Sequence, residues 1–217
     1  MGGVASWRTP THMVVNYMSA HDGCTFWDKL TIANGNASKE SRLAMNRLGA
    51  TIIFASRGIV FFQAGEEMLR SKPKTNKDGT HALDPNSYKS SDETNNLKWN
   101  TLKPGSDEYD MFQYYAGLTA IRTKIDIFTN ATIFQTYAHG DNSGLSIKME
   151  DGKGGKAYVI VNPGNNPIQY KLDGTYSLIC NGTTAGVTAI GNPLSGTISV
   201  PAGSAYILVT SNLLPNN

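Results

Sequence analysis

The sequence predicts an α/β region followed by an all-β region. Three observations predict it. Two short apolar runs, residues 13–19 and 59–63, flank a stretch of helical periodicity; a second strong helical pattern opens at Ser106; and from about Phe128 short β-branched runs alternate with Gly, Asn, Asp and Pro clusters.

Residues 13–19 alternate and then run apolar, the pattern of a buried parallel strand. Ser38 is a helix N-cap with Glu40 in the first turn, and Ala44, Leu48, Ile52 and Ala55 recur at helical spacing, giving one buried stripe that ends near Arg57 and Gly58. A second apolar strand, residues 59–63, follows at once, so the order strand, helix, strand predicts a right-handed βαβ unit. Between Arg70 and Pro104 the chain is rich in Lys, Asn, Ser, Asp and Gly and has no periodicity, which predicts a long excursion. Ser106, Asp107 and Glu108 open a helix with Met111, Tyr114, Tyr115, Leu118, Ile121 and Ile125 on one face. Seven strand-like runs come next, at 133–137, 145–150, 157–162, 169–172, 176–180, 197–200 and 205–210. Their regular spacing predicts an antiparallel β-sandwich.

A chain of 217 residues can bury one good core or two modest ones. Its net charge of +2 makes no electrostatic case for nucleic acid or an anionic membrane, and no apolar run approaches the roughly 20 residues of a membrane span. Cys24 and Cys180 belong to no C-x-x-C pair, which gives no support to a zinc or redox motif and leaves a disulfide between them open. The N-terminus lacks the basic-then-apolar order of a signal peptide, so the export signal of a secreted parent is expected upstream of Met1. There is no G-x-S-x-G elbow, no H-E-x-x-H and no Walker loop, and His12, His81 and His139 have no partner at metal-ligand spacing. No cofactor or metal is expected.

Chemistry concentrates in three tracts. Residues 14–22 end in His21 and Asp22, where a barrel strand would deliver its side chains to an active site. Residues 58–67 end in Glu66 and Glu67, and residues 86–95 carry Tyr88 and Asp92. Together the tracts resemble the α-amylase superfamily of glycoside hydrolases and, within it, the type I pullulanases. The resemblance implies the last two strand-helix units of a (β/α)8 TIM barrel over residues 1–127 and a C-terminal β-sandwich over 128–217.

It also implies a retaining mechanism in which Asp22 is the third carboxylate, gripping sugar hydroxyls in the transition state, while His21 hydrogen-bonds the same sugar. The nucleophile and proton donor of such enzymes sit on earlier strands, so this chain alone is expected to be inactive. Arg70, Tyr88 and Asp92 are the other sugar-contact candidates, and Arg70 is the expected ion-pair partner of one of the two glutamates. Gly23 departs from the family pattern, which has Asn after the His-Asp pair. For Asp22 a structural alternative is capping of a helix that starts near Thr25. Trp7, Trp27 and Trp99 offer stacking faces, although tryptophans more often pack in cores.

The implied parent cleaves α-1,6 linkages in pullulan, starch or glycogen, with an α-glucan polysaccharide or oligosaccharide as partner. An α-1,4-acting amylase-type enzyme and a non-catalytic carbohydrate-binding module built on residues 128–217 are the alternatives. Two barrel strands without neighbours expose apolar faces, which predicts cover by a second copy (a homo-oligomer) or by the complementary N-terminal part of the enzyme.

Overall fold

A computed structural model describes residues 14–139 and 144–215. Trp7 and His12, and the start of the first predicted strand, fall outside these residues, and so does the side chain of His139. The chain is mixed helix and antiparallel sheet, with one parallel strand pair at its beginning.

That pair is β1 (Val15–Asn16) and β2 (Ile59–Val60), in register Val15↔Ile59 and Asn16↔Val60. The sequence predicts longer strands. Only two residues of each pair, and the described remainder of both apolar runs leaves the ladder as loop. Between them run α1 (Phe26–Ala33) and α2 (Lys39–Ala55). Thr25 caps α1 through its hydroxyl, 3.1 Å from the Asp28 amide, so the capping role considered for Asp22 belongs to Thr25. Ser38 caps α2 as predicted, accepting from the Ser41 amide at 3.1 Å.

The predicted stripe of α2 needs correction. Leu43, Asn46, Ala50 and Phe54 form the buried line, while Ala44, Leu48 and Ile52 lie half-buried beside it and Ala55 is buried. The helix is rotated because two polar residues, Asn46 and Thr51, face inward to meet Tyr115 and Tyr114 of α4 (Asp107–Lys124), whose hydroxyls lie 3.3 Å and 2.7 Å away. An apolar count cannot see such pairs. The α4 face, by contrast, is as predicted: all six named residues are buried.

The predicted excursion between Arg70 and Pro104 is ordered. It holds a hairpin, β3 (Pro73–Thr75) with β4 (His81–Leu83), a 3-10 turn at Ser87–Lys89, and the short helix α3 (Asp92–Asn95). Asp84 ties it together: its carboxylate accepts from Ser90 Oγ at 2.5 Å and the Asn86 amide at 3.0 Å, and Lys74 Nζ lies 3.6 Å away. Polar side chains bonding to local backbone give order without hydrophobic periodicity.

After α5 (Ile127–Asn130), strands β5 (Ile133–His139), β6 (Gly144–Glu150), β7 (Lys156–Asn162), β9 (Ser177–Cys180) and β11 (Ser204–Val209) form one antiparallel sheet in the order β5-β6-β7-β11-β9. Strands β8 (Ile168–Lys171) and β10 (Thr197–Val200) make a separate ribbon. One face of the large sheet, with Ile147, Met149, Val159, Ile179, Ile207 and Val209, joins Ala50, Phe54, Tyr114 and Leu118 in a single core. The opposite face packs Ile160, Leu178 and Leu208 against Leu172, Ile198 and Val200 around the ribbon. No helix is long and apolar enough to cross a membrane among the described residues.

Candidate functional site

The loops that follow β1 and β2 leave the strands side by side, because the parallel pairing puts both C-terminal ends at the same edge. Each loop is then fixed by buried polar groups. Ser19 is fully buried and donates to the Glu66 carboxylate, whose other oxygen accepts from Tyr115 Oη at 3.3 Å. Burial pushes the Glu66 carboxyl above its usual range, against the pull of those hydrogen bonds. The expected ion pair between a glutamate and Arg70 is therefore corrected: Glu66 is spent on hydroxyls, and Glu67 accepts from the Gly65 amide at 2.9 Å.

Lys72 holds the second anchor. It is 2% exposed, and its ammonium donates to the carbonyls of His21 (3.0 Å) and Gly23 (3.2 Å), with Gly23 in the left-handed region at φ 76°. The Lys72 amide in turn donates to Asp28 at 2.9 Å, and Ser71 Oγ donates to the same buried carboxylate at 2.5 Å. Asp28 thus ties the start of α1 to the loop after β2, while Lys72 clamps the backbone on either side of Asp22. The result is a rigid loop that presents two exposed side chains, His21 and Asp22, with Nε2 and Oδ2 3.4 Å apart.

These two residues line an open cleft of about 300 Å³ together with Gln63, Arg70, Tyr88 and Asn95. Arg70 spends two nitrogens on the carbonyls of Ala64 (3.1 Å) and Asn95 (2.5 Å). Its Nε is buried without a partner, and so is Gln63 Oε1. Burial lowers the Arg70 pKa, offset by Asp28 and Glu67 nearby. Asn95 donates to the carbonyls of Ser87 (2.7 Å) and Ser90 (3.1 Å), setting the turn from which Tyr88 projects into solvent. A cleft with one carboxylate, one imidazole and an exposed phenol ring can hydrogen-bond and stack on a neutral polyhydroxylated ligand.

Four of the five sequence-predicted site residues, His21, Asp22, Arg70 and Tyr88, meet in this cleft. Asp92 does not: it is exposed in the first turn of α3, where its carbonyl accepts from the Asn96 amide at 2.7 Å. Trp27 packs against the core with the Arg42 guanidinium 5.7 Å from its ring, and Trp99 is exposed away from the cleft. Sequence reasoning missed Gln63, Lys72 and Asn95. Gln63 closes an apolar run and was legible there as a polar strand end. Nothing in the sequence separates Lys72 from the exposed lysines near it. Cys24, half-buried on the clamped loop, and Cys180, buried with its Sγ 3.1 Å from Tyr114 Oη, are both free thiols.

No protein-family model matches this chain. Individual relatives do, and they include several pullulanases. The pullulanase of Bacillus subtilis (strain 168) is 31% identical over 105 residues, covering 46% of this chain and 13% of that protein. Among solved structures, the pullulanase from Bacillus acidopullulyticus superposes with a TM-score of 0.78 at 24% identity, over 92% of this chain and 24% of that one. The GBS pullulanase SAP in complex with maltotetraose superposes with a TM-score of 0.78 at 20% identity, over 91% of this chain and 32% of that one. The chain therefore spans about a tenth to a third of the length of these relatives. Pullulanase homologues cover it in the way expected of a C-terminal part of a pullulanase-type enzyme.

Proposed function

We propose that this chain is the back end of a retaining glycoside hydrolase that cleaves α-1,6 linkages in branched α-glucans, and that residues 1–127 carry two strand-helix units of a (β/α)8 barrel while 128–217 form its β-sandwich. The observation that carries this reading is the cleft, in which a backbone-clamped loop presents His21 and Asp22 opposite Arg70 and Tyr88. Asp22 contacts sugar hydroxyls and strengthens that contact in the transition state; His21 holds the same sugar ring; Arg70 and Tyr88 extend the site along the glucan.

Retaining hydrolysis needs two carboxyl groups roughly 5–5.5 Å apart across the scissile bond. Asp22 is the only carboxylate lining the cleft among the described residues, so the chain by itself binds oligosaccharide without cleaving it. The exposed apolar residues Val15, Tyr17, Ile59 and Phe61 support cover of this face by the complementary N-terminal part of the enzyme or by a second copy. Calorimetric titration of the 217-residue chain with maltotetraose, with reducing-sugar release from pullulan followed in parallel, tests the proposal. Binding that weakens in Tyr88→Ala and Asp22→Asn, with no sugar released, is the expected result. Hydrolysis of pullulan by the chain alone, lost in Asp22→Asn, would sink it.

A further inference from the structure

The β8–β10 ribbon is narrower than the sheet it covers. It packs over β7, β11 and β9 and stops short of the edge strand β5, where Tyr137 is 47% exposed. The step between ribbon and sheet forms an open groove of about 540 Å³. Tyr137, Ser146 and Lys148 line it from the sheet, and Gln169, Tyr170 and Lys171 line it from the ribbon, with Asp173 just beyond. The register explains the floor: Tyr137 of β5 stands directly opposite Ser146 of β6, so both side chains emerge on the same face.

Two observations point to a ligand. The first is Ser146 itself, which is fully buried and whose Oγ has no hydrogen-bond partner although it lines the groove. A buried orphan hydroxyl is rare in a native fold and needs a partner, which an ordered water or a ligand hydroxyl supplies. The second is the aromatic character of the step: the Tyr137 ring is 47% exposed, and the rings of Tyr158 and Tyr170 meet edge to face at 5.7 Å along the wall. Two of the nearby lysines are answered within the fold: the Lys148 ammonium lies 2.9 Å from Glu150 and 3.2 Å from Asp173, and Lys156 lies 3.4 Å from Asp173. Lys171, exposed in the groove lining, has no ion pair among the described residues and is free to donate to a ligand oxygen.

We infer that this groove is a second sugar-binding site, built on the sheet half of the molecule and distinct from the cleft at Asp22. Tyr137 supplies a stacking face for a pyranose ring, Ser146 Oγ takes or gives a hydrogen bond to a sugar hydroxyl, and Gln169, whose amide reaches Ser199 Oγ at 3.2 Å, presents its oxygen from the wall. A polyhydroxylated neutral ligand matches such a surface better than a peptide, which would instead seek the unpaired backbone of the edge strand β5. The choice of an α-glucan among neutral sugars rests on the function proposed above.

Two-dimensional NMR of the full chain titrated with maltotetraose, and with cellotetraose as the β-linked control, tests the inference. Maltotetraose is expected to shift the amides of Tyr137, Ser146, Gln169 and Tyr170 along a binding curve separate from that of His21 and Asp22. Tyr137→Ala and Ser146→Ala should each weaken the groove curve about fivefold to tenfold, the worth of one ring contact or hydrogen bond, and leave the cleft curve in place. Ser146→Ala also keeps or raises the melting temperature, since it removes an orphan hydroxyl, so lost binding there is not lost folding. Groove amides that stay silent toward both sugars while the cleft responds overturn this inference alone. Groove shifts with a silent cleft overturn the function proposal alone. Shifts with cellotetraose only leave a sugar site but overturn its assignment to α-glucan.

Discussion

The two strand systems of this molecule are built from the same residue types and have opposite fates. In β6, β7 and β11 the residues Ile147, Val159 and Val209 are completely buried between helices and sheet. In and just after β1 and β2, Val15, Tyr17, Ile59 and Phe61 are 43–56% exposed, and their best mutual contact is the edge-to-face pair of Tyr17 and Phe61 at 6.0 Å. β-branched and aromatic side chains stabilise a sheet only through what covers them. The central strands of the five-stranded sheet have cover on both faces; the two-stranded pair has α2 and α4 on one side and open solvent on the other.

The largest test of that contrast is Ile147→Ala. It removes a buried side chain from a packed site and is expected to cost about 3 kcal/mol, within the range for such truncations. Chemical denaturation measures it, and a cost below that of an exposed substitution would mean that the sheet is not the stabilising unit. Next comes Lys72→Met, which replaces a buried ammonium that binds two carbonyls; hydrogen bonds to charged groups contribute about 1.5–3 kcal/mol, partly recovered by the apolar replacement. Its signature is local. Amide exchange of residues 21–24 should speed up while that of β6 and β7 is unchanged, and uniform acceleration would show that Lys72 serves the whole fold instead of the loop.

The two halves also respond to acid in opposite senses. Glu66 has its pKa raised above 4.5 by burial, so the folded state holds the proton more tightly; its contribution is complete below about 4.5 and is lost as pH rises through the folded value. Asp173 feels burial too, but the Tyr176 hydroxyl and the Lys148 ammonium lower its pKa from 3.8 to about 2, so its contribution is present above 3.8 and is lost as pH falls toward 2. Thermal melts across pH should show Glu66→Gln removing a decline on the high-pH side and Asp173→Asn removing one on the low-pH side. Identical profiles for the two variants would contradict the assignment. The smallest expected effect is that of Ile59→Thr, within about 0.5 kcal/mol in the isolated chain because the side chain has little to lose. A larger loss would reveal cover that the described residues do not provide.

The same contrast explains what could be read from the sequence. The seven sheet strands and the α4 face were legible because alternating and helical apolar patterns report burial directly, and Met111, Tyr114 and Leu118 needed no further information. The α2 stripe was misplaced because its inward line includes Asn46 and Thr51, whose partners lie 69 and 63 residues away on α4. The hairpin and α3 were invisible to periodicity, being held by Asp84, Asn95 and their local hydrogen bonds. Of the cleft, the tracts that end in His21 and Asp22 could be found. Lys72 could not, because burial of a lysine is a property of the loops around it and leaves no mark on its neighbours in sequence.

The clamped loop also gives the molecule a built-in optical handle. Cys24 follows Gly23, whose carbonyl Lys72 grips, and it is partly exposed on the loop that carries Asp22, whereas Cys180 lies sealed in the core beside Tyr114. Burial raises the Cys180 thiol pKa, so little of it is thiolate near neutrality and reagents do not reach it. A thiol-reactive fluorophore therefore labels one position without any cysteine having to be engineered in or out. The dye would sit two residues from Asp22, on backbone stiff enough that a change in its emission reports what enters the cleft instead of the wandering of a loop.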